Sequence, residues 1–445
     1  MIVYSTMSRI ALILGLCSQV SSYPSSTPPL VKTQPRHVHL ALGQDPGSLS
    51  VTWSTIDKTD DSIALVYDDG QEVQYEGSAR EFVDGGEKHL SQWIHKVVMT
   101  NLRGNMTYRY RVGSDQGWSD VFEMQTLPAG EEWVPRLALF GDMGNENAVS
   151  LPLIQREVGE GVYDAVIHVG DMAYDMAEDN GVRGDIFMEQ IEPIASMVPY
   201  MTCPGNHEYH YNFLNYKERF NMPGDNRKMF FSFNIGPVHF ISISTEFYYF
   251  LNYGLRPVIA QYQWLEKDLA SVDRTKHPWI VVFGHRPMYC TNDDRDDCTK
   301  FETRTRTGLP LVKWWGLEQL FMDYGVDLAV WAHEHSYERL LPTFNRTVVP
   351  SPDKSQPYTD PRAPVHITTG SAGCREKHDG FLPDAPDWSA FRSTDYGYTR
   401  MQVDNATHIK LEQVSAEAGG KVIDEIWLVQ HHHGSFNQKI MSNEL

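Results

Sequence analysis

The chain is short of positive charge. Its 445 residues carry 38 Lys and Arg against 58 Asp and Glu, a formal net charge of −20. A surface of that sign repels phosphate backbones, which excludes nucleic acid as a partner class. It does not exclude a small phosphate ester received by something local and cationic. Long apolar runs are lacking too. No stretch reaches the ~20 residues that cross a bilayer, so no membrane is expected as a partner. Tandem repeats are absent, and cysteine is sparse, with five in all. What remains, 41% hydrophobic and 22% charged residues, is ordinary globular composition. At roughly 150 residues per domain, the length allows two or three domains with real cores.

Residues 1–22 have the layout of a secretory signal. Arg9 precedes the apolar run Ile10 to Cys17, and Val20, Ser21 and Ser22 offer a small-residue cleavage site. Secretion is expected, with lysosomal delivery open, since Asn443-Glu444-Leu445 is not an ER-retention ending. Sequons at Asn105, Asn345 and Asn405 are the expected glycosylation acceptors. Loss of the signal removes Cys17 and leaves Cys203, Cys290, Cys298 and Cys374, which allow three pairings. Cys290 and Cys298 lie close across a polar loop, which favours a local bridge. Cys203 with Cys374 would follow, free buried thiols being the alternative for that pair.

Residues 30–128 read as a β-sandwich of about one hundred residues. Leu49, Val51 and Trp53 alternate with Ser50, Thr52 and Ser54, and Tyr108, Tyr110 and Val112 alternate with Arg109 and Arg111. No catalytic cluster falls there. From 133 to 430 short apolar runs alternate with helical patterns, as in an α/β domain. Expected strands are Leu137 to Phe140, Ala165 to Val169, Tyr200 to Thr202, Phe240 to Ser244, Trp279 to Phe283 and Leu328 to Trp331. Expected helices include Ile186 to Met197, Gln261 to Leu269 and Val312 to Met322.

Five of those strands run directly into segments holding Asp, Asn or His. They read Gly141-Asp142-Met143-Gly144, Gly170-Asp171-Met172-Ala173-Tyr174, Gly205-Asn206-His207-Glu208, Gly284-His285-Arg286-Pro287 and Ala332-His333-Glu334-His335. Ligands of open α/β sheets bind beyond the carboxyl ends of strands, so the five can converge. Carboxylate and phenolate oxygens suit a hard trivalent ion, and imidazole and amide suit a borderline divalent one. The mixture points to two metals. Asp171 and Tyr174, three apart on one loop, can face one ion. His333 and His335, two apart in an extended segment, point to the same side.

In this order and spacing the five segments resemble the motif series of the purple acid phosphatases, in the calcineurin-like metallophosphoesterase superfamily. The resemblance covers nearly the whole mature chain and is to the long, plant-like form. It implies a fibronectin III-like N-terminal sandwich and a βαβαβ-based, four-layer α/β catalytic domain. It implies that Asp142, Tyr174 and His335 hold Fe(III), that Asn206, His285 and His333 hold a divalent metal (zinc first, iron or manganese otherwise), and that Asp171 bridges. His207 would hydrogen-bond the substrate phosphate and protonate the leaving oxygen, while Glu208 and Glu334 are at most supporting groups. The activity implied is acid hydrolysis of small phosphate monoesters by attack of a metal-bound hydroxide on phosphorus. Alternatives are a phosphodiesterase or nucleotide pyrophosphatase on the same metal pair, or an inactive binding protein.

The chain departs from the wider superfamily at one place and from the family at two. Other metallophosphoesterases carry a His where this chain has Gly144, the imidazole giving way to the Tyr174 phenolate. The last motif usually begins with Gly, not Ala332; the methyl is harmless at ordinary φ and destabilising at positive φ. Plant members carry further histidines where this chain has the acidic run Asn292 to Asp297. That run reads as a solvated loop which, at the mouth, would disfavour highly charged substrates. His431 to His433 read as a solvated turn, Trp314 and Trp315 as core or pocket wall, and Gly370 to Gly373 as a tight turn lacking a P-loop's Lys.

Overall fold

A computed structural model describes residues 31–442. The expected signal at 1–22 and the last three residues lie outside them. From Arg36 to Gln125 the regular elements are all strands. One sheet has the order Arg36–Leu42, Leu49–Thr55, Ser91–Met99, Ser78–Val83; the other runs Gln71–Glu76, Ile63–Asp68, Thr107–Ser114, Gly117–Trp118, with Phe122–Gln125 also on Thr107–Ser114. The two inner faces bury Val51, Trp53, Val66, Tyr110 and Val112, making the expected sandwich. The polar face of Leu49–Thr55 is not solvated. All seven residues are buried, and Thr52 Oγ1 accepts from Asn221 Nδ2 of the next domain.

The domains are joined by further polar ties. Tyr110 donates to the Ser196 carbonyl (2.8 Å), Asn215 Nδ2 donates to Asp84 Oδ1 (2.9 Å), and Val38 N donates to Glu192 Oε2 (2.7 Å). Glu192 lies on the helix Val182–Ala195, which packs against the strand Arg36–Leu42.

The second domain is built on two sheets. The six-stranded one has the order Tyr200–Cys203, Ala165–Val169, Arg136–Phe140, Gly397–Asn405, His408–Ser415, Lys421–Val429. The seven-stranded one runs Phe231–Ile235, Val238–Ser242, Trp279–Phe283, Leu328–Trp331, Val365–Thr369, Tyr337–Leu340, Ser389–Ser393. The central parallel strands are buried along their whole length, as expected when both faces are covered. The sheets meet where Thr399 Oγ1 bonds Thr369 Oγ1 (3.0 Å) and Thr369 Oγ1 reaches the Leu139 carbonyl (3.4 Å). Helices Leu151–Gly159 and Val182–Ala195 cover the outer face of the first sheet, through Glu157 on Tyr398 and Phe187 on His168. Arg256–Ser271 and Leu317–Tyr324 cover the second, with Phe321 stacked on Trp331. This is the four-layer arrangement expected. Among the described residues no helix is long and apolar enough to cross a membrane.

Two expectations fail locally. The helix expected from Val312 begins only at Leu317, because Leu311, Lys313 and Trp315 adopt positive φ (70°, 53° and 64°), which no helix tolerates. In that loop Trp314 is 60% exposed, so it is neither core nor pocket wall. Cys290 and Cys298 are bridged, as expected, but Cys203 and Cys374 are both free and buried. Cys203 ends a core strand opposite Val169, whereas Cys374 packs over Gly144 with its sulfur 3.6 Å from His335 Nδ1. The two thiols are held by different surroundings and do not pair. His431 to His433 do form a turn after Val429, with His431 on Asp360.

Candidate metal centre

Parallel pairing puts the carboxyl ends of Arg136–Phe140, Ala165–Val169 and Tyr200–Cys203 on one edge, and those of Trp279–Phe283 and Leu328–Trp331 on one edge of the other sheet. Backbone bonds then stitch the edges together. Gly141 N donates to the Thr369 carbonyl (2.9 Å), Asp142 N to that of Gly170 (3.2 Å) and Gly284 N to that of Val330 (3.1 Å). The five segments expected to converge do converge.

They place their side chains in two adjoining groups. Tyr174 Oη lies 2.6 Å from His335 Nε2 and 3.1 Å from Asp142 Oδ1, and those two atoms are 3.6 Å apart. His285 Nε2 lies 3.1 Å from Asp171 Oδ2, 3.1 Å from Asn206 Oδ1 and 3.2 Å from His333 Nδ1. The groups touch where His333 N donates to Asp142 Oδ2 (2.9 Å). All seven positions singled out as ligands are thus brought together, with Asp171 in the group of His285.

The outer nitrogens of the imidazoles fix what the inner ones can do. His285 Nδ1 faces the Val169 carbonyl (2.9 Å) and His335 Nδ1 the Lys377 carbonyl (2.9 Å). A carbonyl only accepts, so those nitrogens carry the proton and each Nε2 presents a lone pair inward. His333 is turned the other way. Its Nε2 meets both Asp296 Oδ2 (2.6 Å) and the donor Arg286 Nη1 (2.7 Å), while Nδ1 faces His285 and Asp171. Two inward lone pairs, the His333 Nδ1, two carboxylates, a phenol and an amide oxygen converge in a buried space. That donor set fits two cations, the harder on the Tyr174 side. The electrostatics agree. Burial pushes Asp142 and Tyr174 well up. Against its own burial, His285 is raised to about 10 by Asp171 and Asp142, so a cation at its Nε2 would displace a proton that the two carboxylates favour. Burial and the Arg286 guanidinium, by contrast, hold His333 down at about 3, neutral as a ligand must be.

Backbone strain marks the same residues. Asp142, Asp171, Tyr174 and His333 all have positive φ (59°, 48°, 53° and 71°), a conformation costing roughly 1–2 kcal/mol for a residue with a Cβ. Such strain persists where surrounding structure imposes it, typically at functional sites. His333 and His335 therefore do not sit on a regular extended segment. Glu334 N bonds the Ala332 carbonyl and Ser336 N that of Glu334, two tight turns in succession. Ala332 itself is not among the positive-φ residues, so its methyl adds no backbone strain. It fills the space beside Gly141, where a Cβ would stand 2.4 Å from it.

His207 joins neither group. Its ring packs on Tyr174 (centroids 4.4 Å apart), Nδ1 lies 3.2 Å from Asp175 Oδ1, and Nε2 points between Glu376 (3.6 Å) and Asp171 (3.9 Å). Against its burial, Asp171 and Asp175 raise it to about 9. Glu208 is a brace: its carboxylate accepts from the amides of Asp171, Met172 and Gly205. Sequence reasoning missed Asp175, Asp296 and Glu376. Asp175 could have been found as the residue after Tyr174. Asp296 was hidden in an acidic run that is not simply solvated: it also pairs with Arg286, while Asp297 accepts from Tyr249.

Comparison with known proteins matches three family profiles to the chain. These are the purple acid phosphatase N-terminal domain over residues 35–126, calcineurin-like phosphoesterase over 135–337, and iron/zinc purple acid phosphatase-like protein C over 363–425. Acid phosphatase type 7 of Danio rerio is 50% identical over 413 residues, covering 91% of this chain and 93% of that one. The protein of the same name in Homo sapiens is 49% identical over 400 residues, covering 89% and 91%. A purple acid phosphatase from yellow lupin (Lupinus luteus) seeds shares the fold at a TM-score of 0.74 with 24% identity, over 89% of this chain and 75% of that one. The chain is a calcineurin-like phosphoesterase and belongs to the purple acid phosphatase family.

Proposed function

We propose that the chain hydrolyses small phosphate monoesters in acid at a ferric–divalent metal pair. The observation that carries this reading is the convergence of His285 Nε2 and His335 Nε2, each with its outer nitrogen on a backbone carbonyl, and of His333 Nδ1 with Asp142, Asp171, Tyr174 and Asn206. Asp142, Tyr174 and His335 would hold Fe(III); Asn206, His285 and His333 would hold zinc, or else iron or manganese; Asp171 would bridge. Such a pair, when bound, supplies a nucleophile at acid pH and neutralises charge on the phosphoryl group.

The chain's own residues do the rest. Glu208 braces the loops carrying Asp171 and Asn206 by taking three of their amides. Asp175, itself paired with Arg375, holds His207 by Nδ1. Nε2 is left to carry a proton toward the leaving oxygen, and the carboxylates around His207 keep that proton in place through the acid range. Secretion fits the sequence of residues 1–22, and Asn105, Asn345 and Asn405 are all exposed, as glycan acceptors must be.

Phosphate release from an aryl monophosphate, set beside the matching diester, tests the reading across about pH 4 to 8. Expected is turnover of the monoester peaking in acid and absent from Asp142→Ala. Turnover of the diester alone would make this a phosphodiesterase, and none in fully metallated protein would end the proposal.

A further inference from the structure

Glu334 stands between His333 and His335 in sequence but takes no part in the centre they build. Its side chain is 0% exposed, and Oε2 has no hydrogen-bond partner among the described residues. Oε1 lies 2.9 Å from Cys298 Sγ, but that sulfur is committed to the bridge with Cys290 and has no proton to give. A carboxylate buried with no donor at either oxygen is unstable unless it is protonated or meets a cation.

Two further carboxylates come to it. One oxygen each of Asp294, Glu334 and Asp379 lie within 4.8 Å of one another. Asp294 belongs to the loop closed by the disulfide, and Asp379 to the segment after Cys374. The two loops are laced by Asp293 N on the Gly380 carbonyl (3.0 Å) and Leu382 N on that of Thr291 (2.8 Å). Among the described residues no Lys or Arg pairs with any of the three carboxylates. The nearest basic atom is His335 Nδ1, 3.7 Å from Asp379 Oδ2, and it already faces the Lys377 carbonyl.

We propose that Asp294, Glu334 and Asp379 hold a third cation, calcium, beside the dinuclear centre. Oxygens bound to calcium at about 2.3–2.6 Å can stand no more than about 5 Å apart, which this cluster satisfies. Three carboxylates, with no nitrogen or sulfur donor, select a hard cation over the transition metals. One rigid buried ligand and two from loops make an irregular set, which calcium accepts and magnesium's strict octahedron does not. The ion clamps the two loops together and offsets the negative charge of the run Asn292 to Asp297, easing the approach of an anionic ester.

Binding of ⁴⁵Ca²⁺ to the iron- and zinc-loaded protein by equilibrium dialysis tests this without reference to turnover, so it stands or falls apart from the phosphatase reading. Expected is one calcium per chain at about millimolar or lower free ion, with iron and zinc content unchanged. Asp294→Asn, at an exposed position, weakens binding at least tenfold; Glu334→Gln does the same; Asp293→Asn, outside the cluster, leaves it intact. No binding at that concentration would overturn the site and assign Glu334 as a neutral acid bonded to the Cys298 sulfur. Equal loss in Asp293→Asn and Asp294→Asn would also overturn it, as mere charge attraction.

Discussion

The backbone of Gly144 passes so close to the ring of Tyr174 that a Cβ there would stand 3.2 Å from Tyr174 Cδ2, and φ at Gly144 is +68°. A side chain at 144 and a phenol at 174 therefore compete for one volume. The absence of a side chain at 144 leaves room for the phenol that lies against Asp142 and His335.

Replacing the phenol tests what it does there. Tyr174→Phe keeps the ring in its packing and removes only Oη. The iron-loaded wild type is expected to show a phenolate-to-ferric absorption in the visible, and the variant none, with unchanged far-UV circular dichroism. An unchanged visible spectrum would show that Tyr174 does not bind iron.

Legibility in the sequence followed the range of the interactions. Strands such as Ala165–Val169 and Trp279–Phe283 were readable to the residue, because buried parallel strands are nearly continuous apolar runs, here broken only by His168 and ended by Gly. The seven positions proposed as ligands could be singled out because their segments each follow a strand. What long-range packing decides was not readable. Ser50, Thr52 and Ser54 alternate with apolar residues yet are buried, Thr52 against Asn221 of the second domain and Ser54 on His37. Cys203 and Cys374 looked paired, yet one serves the core and the other packs over Gly144. Asp296 looked like one acid among several, and only the fold brings it to His333.

That contact yields a second prediction. Asp296 Oδ2 lies 2.6 Å from His333 Nε2, beside Arg286 Nη1, and partners that orient a ligating imidazole commonly contribute about 10- to 100-fold to metal affinity. Asp296→Ala should weaken the divalent metal by about that factor in competition with a chelator, while iron, held by the other group, stays. Equal loss of both metals would mean that the loop, not the contact, had failed.

His207 is placed to move a proton rather than to bind metal. His207→Ala is therefore expected to lower kcat about 10²- to 10⁴-fold with both metals retained. The loss should shrink for esters whose leaving alcohol is already acidic, since these need no proton. A uniform loss across leaving groups, or loss of metal, would make the residue structural.

Acid should be hard on the fold for a reason away from the metals. His366 is buried, its Nδ1 accepts from Trp331 Nε1 (3.0 Å), and burial lowers it to about 3 from an ordinary 6.5. Between those values the unfolded chain binds a proton that the folded one refuses, so the stability this group contributes is full above about 6.5 and falls toward 3. The slope is at most ~1.4 kcal/mol per pH unit for one such group. His366→Asn keeps an acceptor for Trp331 and removes the titration. Urea unfolding at pH 4 to 7 should then show a shallower decline in the variant, the difference closing toward pH 7 apart from a constant packing loss. Parallel curves would mean that His366 takes its proton as readily folded as unfolded, and that the acid sensitivity lies with other groups.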